Sequence, residues 1–363
     1  DTLSVRGDGS MPSHRLSVGL SGEQLSAQLD ASGALAAEGA YAGEVARLDL
    51  TQPELGAWRL ERPTAIRLNG EQIAAGPLCL RDTGGSGGCL GFEQTAAGRW
   101  SADIDLDKLA FDLVSGFLPP TMTAEGAARV KGRFQADGPS LTGDAVAEIP
   151  EGRVRVRVGA GKEQVLDFST TKLNLDSGAK GIAARLAMPL EGLGEVSARL
   201  DLPGWRLDDP ARPEQPLRGG VEARLEGLDQ ISDLVPDLTG VAGSIDADLD
   251  LGGTLAQPRL TGQANARALD AEVPLIGLKL SDLNLAAVVG PQRLDIQGQG
   301  DLGGGRLEVS GEFVFGPSGV AGELRAGGER LRVADTKEFL VVASPSFDLR
   351  VSPTGTQVRG EVK

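Results

Sequence analysis

The chain has 363 residues, of which 52 are glycine, 20 are proline and only 4% are aromatic, a composition typical of many short β-strands joined by tight turns. Its net charge of −15, with basic residues scattered singly, excludes nucleic-acid binding and electrostatic docking on an anionic membrane. The longest apolar runs are Ala286–Val289 and Phe339–Ala343, far below the ~20 residues that a membrane-spanning helix needs.

The only two cysteines, Cys79 and Cys89, flank a glycine-rich turn at Thr83–Gly88. This spacing suits the two arms of a hairpin, and it allows a disulfide if the strands bring the Cα atoms within ~7 Å. A disulfide would indicate an oxidising compartment such as the bacterial periplasm; two unrelated buried thiols are the alternative. Two cysteines and one histidine do not complete a structural zinc site, and we expect no cofactor.

Two stretches break the strand pattern and predict short amphipathic helices. The apolar residues at helical spacing are Leu106, Leu109, Leu113 and Phe117 in the first stretch and Leu228, Ile231 and Leu234 in the second. We expect these helices to pack against the apolar face of a sheet. Acidic residues flank both stretches, which disfavours the alternative of helices lying on a membrane surface.

Elsewhere apolar and polar residues alternate, most cleanly in Arg153–Val158 and Ser244–Leu251. A period of two places every second side chain on one face of a strand. Asp246, Asp248 and Asp250 are therefore expected to face water. The residues predicted to line an apolar groove are Val154, Val156, Val158, Ile245, Ala247, Leu249, Leu251, Leu294, Ile296, Leu307, Val309, Phe313, Phe315, Leu331, Val333, Leu349 and Val351. The alternative is an ordinary sandwich core, in which the same residues meet a second sheet.

The helix-and-strand pattern repeats along the chain. Leu141–Gly143 and Leu260–Gly262 share the sequence Leu-Thr-Gly, and Gly126 aligns with Gly243. The repeats span about 106–225 and 226–345 and predict one continuous elongated body over residues 1–363. Chance similarity between simple strand sequences is the alternative.

Several phrases of the sequence resemble the TamB family. They are the run Asp250–Pro258, the Leu260–Gly262 tripeptide, the strand-turn-strand Gly298–Leu307, the tail Ser344–Val351, and the cysteine pair ahead of Trp100. The resemblance covers most of the chain, from about Leu60 onward, and rests on the order and density of these phrases.

This resemblance implies a β-taco, a long curved and mostly antiparallel sheet that forms an apolar-lined trough, here with one or two short amphipathic helices. It also implies a place among the AsmA-like bridge-forming lipid transfer proteins. These proteins carry phospholipids between the inner and outer membranes, and this family does so within the translocation and assembly module. The implied partners are phospholipids, a BamA-like outer-membrane barrel of the TamA type, and the inner membrane. The chain is then expected to be a periplasmic piece of a longer protein from a Gram-negative bacterium, with its membrane anchor and barrel-binding region elsewhere.

Two other functions stay open at this point. A chaperone-like β-scaffold for outer-membrane proteins or autotransporters would capture unfolded strands at open sheet edges. A structural or adhesive β-solenoid would have a closed, dry interior. Catalysis is not indicated, because the only histidine, His14, lies beside Arg15 and no phosphate-binding loop is present. We therefore predict a protein that is not an enzyme.

Overall fold

The computed structural model describes residues 2–36, 38–53, 56–110, 122–158, 162–229, 239–316, 319–336, 340–353 and 355–362. Within these ranges the chain forms 25 β-strands. Twenty-three of them belong to one sheet, and the other two form a separate hairpin. The all-β prediction is confirmed, and a single large antiparallel sheet agrees with a β-taco. The quasi-repeats stay a prediction.

The chain divides into two compact units. Unit 1 comprises Asp1–Val154, Thr170–Arg185 and Pro203–Ala211, and unit 2 comprises Arg155–Ser169, Leu186–Leu202 and Arg212–Lys363. The strands β11 (Ser140–Val158), β12 (Lys162–Gly178) and β13 (Gly181–Leu190) have residues in both units, and so does β14 (Gly194–Pro203) through its last residue. The other strands of unit 1 are β1 (Thr2–Ser10), β2 (Ser13–Ser21), β3 (Ser26–Leu35), β4 (Tyr41–Gln52), β5 (Gly56–Leu60), β6 (Thr64–Asn69), β7 (Gln72–Asp82), β8 (Gly87–Ala96), β9 (Arg99–Ala110) and β10 (Met122–Asp137).

In unit 1 most strands pair antiparallel with the next strand along the chain. The exception is that β5 and β6 lie end to end, because each pairs with both β4 and β7. Pro63 lies in the break between them, and a proline cannot donate a ladder hydrogen bond. Leu60 and Thr64, on either side of the break, are buried.

Unit 2 is built in the same way. Each strand from β14 to β20 pairs antiparallel with its successor, after which β21 pairs with β24 and β24 with β25. The two skipped strands, β22 and β23, pair only with each other in the described part of the sheet. These strands are β14 (Gly194–Pro203), β15 (Arg218–Leu225), β16 (Thr239–Gly253), β17 (Pro258–Val273), β18 (Leu278–Val289), β19 (Arg293–Leu302), β20 (Gly305–Gly316), β21 (Gly319–Gly328), β22 (Leu331–Asp335), β23 (Leu340–Ala343), β24 (Pro345–Ser352) and β25 (Gly355–Val362).

The helix predicted from Leu106 and Leu109 is wrong for these two residues, because both lie on strand β9. Leu106 faces Gly88 on one neighbouring strand and Val130 on the other. Pairing on both sides satisfies the backbone of β9, which outweighs the helical spacing of a few apolar residues. In the second stretch, Leu228 is buried and lies in a 3₁₀ turn. The remaining positions of the two predicted helices, Leu113, Phe117, Ile231 and Leu234, lie outside the described residues.

The glycines of the two Leu-Thr-Gly tripeptides share an unusual backbone conformation. Gly143 has a φ of 147° and Gly262 a φ of 139°, a region that side-chain-bearing residues rarely adopt. A Cβ on either glycine would overlap a carbonyl oxygen of the preceding paired strand, that of Arg133 or that of Asp248. The repeated tripeptide thus has the same local structure at both places.

We expect Gly262→Ala to lower the free energy of unfolding of unit 2 by about 1–3 kcal/mol, because the new Cβ is both strained and overlapped. Gly252→Ala is the matched control on the neighbouring strand β16, since a Cβ there meets nothing within 4 Å. The control should change the free energy by less than about 0.5 kcal/mol. Denaturant unfolding of both variants measures the difference, and equal destabilisation would contradict the role assigned to Gly262.

Candidate functional site

The apolar residues of successive strands in unit 2 lie directly opposite one another. Leu249 on β16 faces Val221 on β15 and Gly262 on β17. On the next strands, Ile296 faces Ala287 and Gly311. Because directly paired residues of an antiparallel sheet project from the same face, these partners form one continuous surface, the apolar face of unit 2. The predicted residues that the register places on it are Ile245, Ala247, Leu249, Leu251, Leu294, Ile296, Leu307, Val309, Phe313, Phe315, Leu349 and Val351.

Small residues make this face flat. A methyl group of Leu285 lies where Gly298 on the next strand would carry its Cβ, and Phe313 lies over Gly322 in the same way. The large side chains therefore lie along the sheet instead of projecting from it. The surface is aliphatic and partly open to solvent, with Leu260 39% exposed and Phe347 48% exposed. Such a surface binds apolar molecules by contact area and offers no directional hydrogen bonds.

The opposite face of unit 2 is charged. Asp248 and Asp250 are exposed there, and Asp246 accepts a hydrogen bond of 2.9 Å from Arg267. Arg224 forms a similar exposed pair with Glu195 at 3.2 Å. Exposed ion pairs of this kind contribute little to stability. Their main effect is to keep this face of the sheet hydrated.

Unit 1 has an apolar face built by the same rule. Leu90 on β8 faces Ile104 on β9, while Ala102 on β9 lies between Phe92 and Phe134. Leu90 is 47% exposed, so this face is also partly open. Leu106, predicted to pack on the apolar face from a helix, is instead a strand residue of the face itself.

Cys79 and Cys89 form a disulfide, which confirms the pairing that their spacing allowed. The two cysteines face each other on β7 and β8 with their Cα atoms 4.0 Å apart. Near the tip of this hairpin, Arg81 contacts Glu61 at 2.5 Å and Asp107 at 2.9 Å. The hydrogen bond from Arg81 lowers the pKa of the Asp107 carboxyl below its usual value. Strand β7 is thus linked to β8 by the disulfide, and to Glu61 and to β9 by the ion pairs of Arg81.

Leu331 and Val333 were predicted to line the apolar groove. This prediction is wrong, because both residues lie on the β22–β23 hairpin, which is separate from the large sheet. The hairpin packs against β18, β19 and β20, and Leu331 is completely buried there. Its methyl groups occupy the space above Gly305 and Gly328, two glycines of the apolar face. Because these glycines have no side chain, the hairpin can pack closely on the sheet, and it covers part of the apolar face.

The last three predicted lining residues lie on β11. Val154 is half-buried. The side chains of Val156 and Val158 lie outside the described part of the structure.

An open cleft of about 1000 Å³ lies on the charged side of unit 1, which the sequence did not indicate. Its walls include Lys131 and Arg133, which pair with Asp105 and Asp103 on the adjacent strand. Cations and carboxylates thus balance one another across this cleft. Among the described residues no group of histidine, cysteine, aspartate and glutamate side chains is placed to hold a metal ion. The described residues also contain no helix long and apolar enough to cross a membrane.

One large antiparallel sheet with an aliphatic face and a charged face places the protein in the β-taco class. The family model for the TamB N-terminal domain matches residues 1–266, and the chain therefore belongs to the TamB family. This family of envelope proteins is associated with the translocation and assembly module and, in general, with a TamA-type partner. No solved structure matches the chain.

Proposed function

We propose that this protein binds phospholipids by their acyl chains along its apolar faces and is part of a periplasmic conduit between the inner and outer membranes. The observation that carries the proposal is the register of unit 2, in which apolar residues face one another from β14 to β21 and on through β24 and β25. Few other ligands require an aliphatic strip that continues across so many strands without a polar break.

The chemistry of the face suits transport better than tight, selective capture. Each acyl-chain methylene removed from water contributes about 0.8 kcal/mol to the binding free energy. On an aliphatic surface this contribution is similar at every position along the strip. A bound chain can then move between neighbouring positions without breaking hydrogen bonds. The charged face opposite keeps the protein hydrated while lipid is bound.

The finer assignments are part of the same proposal. The partners are phospholipids, a TamA-type outer-membrane barrel and the inner membrane, and the location is the periplasm of a Gram-negative bacterium. The membership in the TamB family supports them. The Cys79–Cys89 disulfide fits an oxidising compartment of this kind.

Photocrosslinking tests the proposal, with benzoylphenylalanine placed at Ile296 or at the adjacent Gln297. Ile296 belongs to the apolar face, whereas Gln297 faces the opposite side, between Ala286 and Ser310. After incubation of the whole chain with phospholipid vesicles, we expect a phospholipid adduct at Ile296 and little at Gln297. Equal adducts at both positions would argue against a binding face. Adducts with unfolded polypeptide in cells, and none with lipid, would favour the chaperone-like scaffold.

A further inference from the structure

One edge of the apolar face of unit 1 differs chemically from the rest. A single line of paired residues runs across the ends of β4, β6, β7, β8 and β9, where these strands meet their turns. We call it the aromatic rim. In order of pairing its residues are Tyr41, Leu68, Ile73, Gln94 and Trp100. No residue of this line carries a carboxylate, and the carboxylate of Glu71 in the adjacent turn accepts a hydrogen bond from the backbone N–H of Ala97.

The ring of Tyr41 lies flat on the face. A Cβ on Gly33 or Gly43 would overlap the phenol, so the two glycines make the space in which the ring lies. The ring also stacks against His14, with the ring centroids 5.6 Å apart. The only tyrosine and the only histidine of the chain are therefore together at this edge.

The polar tips at the rim are available to a ligand. Within the described part of the chain, neither the Tyr41 hydroxyl nor the Trp100 indole N–H donates a hydrogen bond to the protein, and neither is a buried polar atom without a partner. The Gln94 amide donates one hydrogen bond, to the carbonyl of Glu71 at 3.0 Å, and keeps a second N–H. Further along the same strands the face is apolar, with Phe92 beside the rim and then Leu48, Leu90 and Ile104.

This change from donors to aliphatic groups matches the change of polarity along a phospholipid. Tyrosine and tryptophan favour the boundary between an apolar and a wet phase, because each has an apolar ring and a polar tip. The ester and phosphate oxygens of a phospholipid accept hydrogen bonds but cannot donate them. The opposite edge of the face is less suitable, because Trp58 on β5 there lies opposite the carboxylate-bearing Asp82 on β7.

We propose, on the basis of the proposed lipid-binding function, that the aromatic rim binds the glycerol-ester and phosphate region of phospholipids. The acyl chains extend from the rim onto the aliphatic part of the face. Lipids bound to unit 1 therefore have a fixed orientation, with the headgroup at the Tyr41–Trp100 edge.

Fluorescence quenching tests this orientation. The variant Trp58→Phe/Trp205→Phe leaves Trp100 as the only tryptophan. A second reporter combines these changes with Trp100→Phe and Leu90→Trp, which places the indole on the aliphatic part of the face. Each is mixed with phosphatidylcholine bearing a nitroxide on the headgroup or near the end of an acyl chain. We expect the headgroup label to quench Trp100 about two-fold more than the acyl-end label, and the order to reverse for the Leu90→Trp reporter.

If the acyl-end label quenches Trp100 as strongly as it quenches the Leu90→Trp reporter, the rim assignment is overturned while lipid binding stands. If neither label quenches either reporter, both the rim and the proposed function are overturned. Benzoylphenylalanine at Tyr41 gives a second measurement that does not depend on the tryptophan variants. Its adduct should lie on the glycerol or headgroup part of the lipid, and an adduct only on the acyl end would overturn the assignment.

Discussion

Leu249→Lys is expected to lower the amount of phospholipid bound to the protein by at least about ten-fold, which corresponds to about 1.4 kcal/mol. Leu249 lies within the apolar face of unit 2, between Val221 and Gly262. An acyl chain crossing this position would have to cover a lysine ammonium, and burying an unpaired charge costs more than a lost aliphatic contact. Leu249 is only half-buried, so without lipid the lysine can stay hydrated and the fold should be kept.

Gln263→Lys is the matched control for this prediction. Gln263 is exposed on β17 and lies opposite Asp248, so the same positive charge is added to the charged face of the same pair of strands. Mass spectrometry of solvent extracts from the purified variants gives the lipid bound per protein. We expect the control to retain the wild-type amount. Equal losses in both variants would show that charge, and not the apolar face, determines binding.

Removal of the disulfide is expected to have the largest effect on stability. Cys79→Ser/Cys89→Ser should lower the free energy of unfolding of unit 1 by about 2–4 kcal/mol, because the bond restricts the conformational entropy of the unfolded chain. Cys79 is also 2% exposed, so its replacement puts a hydroxyl in a buried position. Denaturant unfolding with and without reductant measures the effect.

Reductant should destabilise the wild-type protein and leave the double-serine variant unchanged, since the variant has no other thiol to reduce. Hydrogen exchange locates the change, and we expect faster exchange in β7 and β8. A wild-type protein that unfolds at the same denaturant concentration with and without reductant would contradict a structural role for this bond.

Much of the fold could be predicted because apolar and polar residues alternate along the strands with a period of two. Alternation places Leu249 and Asp248 on opposite faces whatever the neighbouring strands are, and the observed register agrees. The disulfide could also be predicted, because Cys79 and Cys89 flank a short turn and a hairpin brings such residues together. The prediction failed at Leu106 and Leu109, where a few apolar residues match a helix by chance and only the pairing of β9 with two neighbours decides.

The remaining features depend on register, which a single sequence does not reveal. Leu331 has the same alternation as the lining residues, yet it is buried because β21 pairs with β24 and leaves β22 to fold back over glycines. The aromatic rim joins Tyr41 to Trp100, residues that are distant in sequence and become aligned only through four successive strand pairings. Composition shows a single tyrosine and a single histidine, but not that they lie side by side.

The pairing of strands with their successors has a consequence for how the protein is made. When partners are adjacent in sequence, each new strand closes only a short loop, and short loops cost little conformational entropy. A chain that becomes available from its N-terminus can therefore add strands one at a time to a growing edge, before its distal end is present. The pairing of β21 with β24 is the one described step in unit 2 that must first bypass an intervening hairpin.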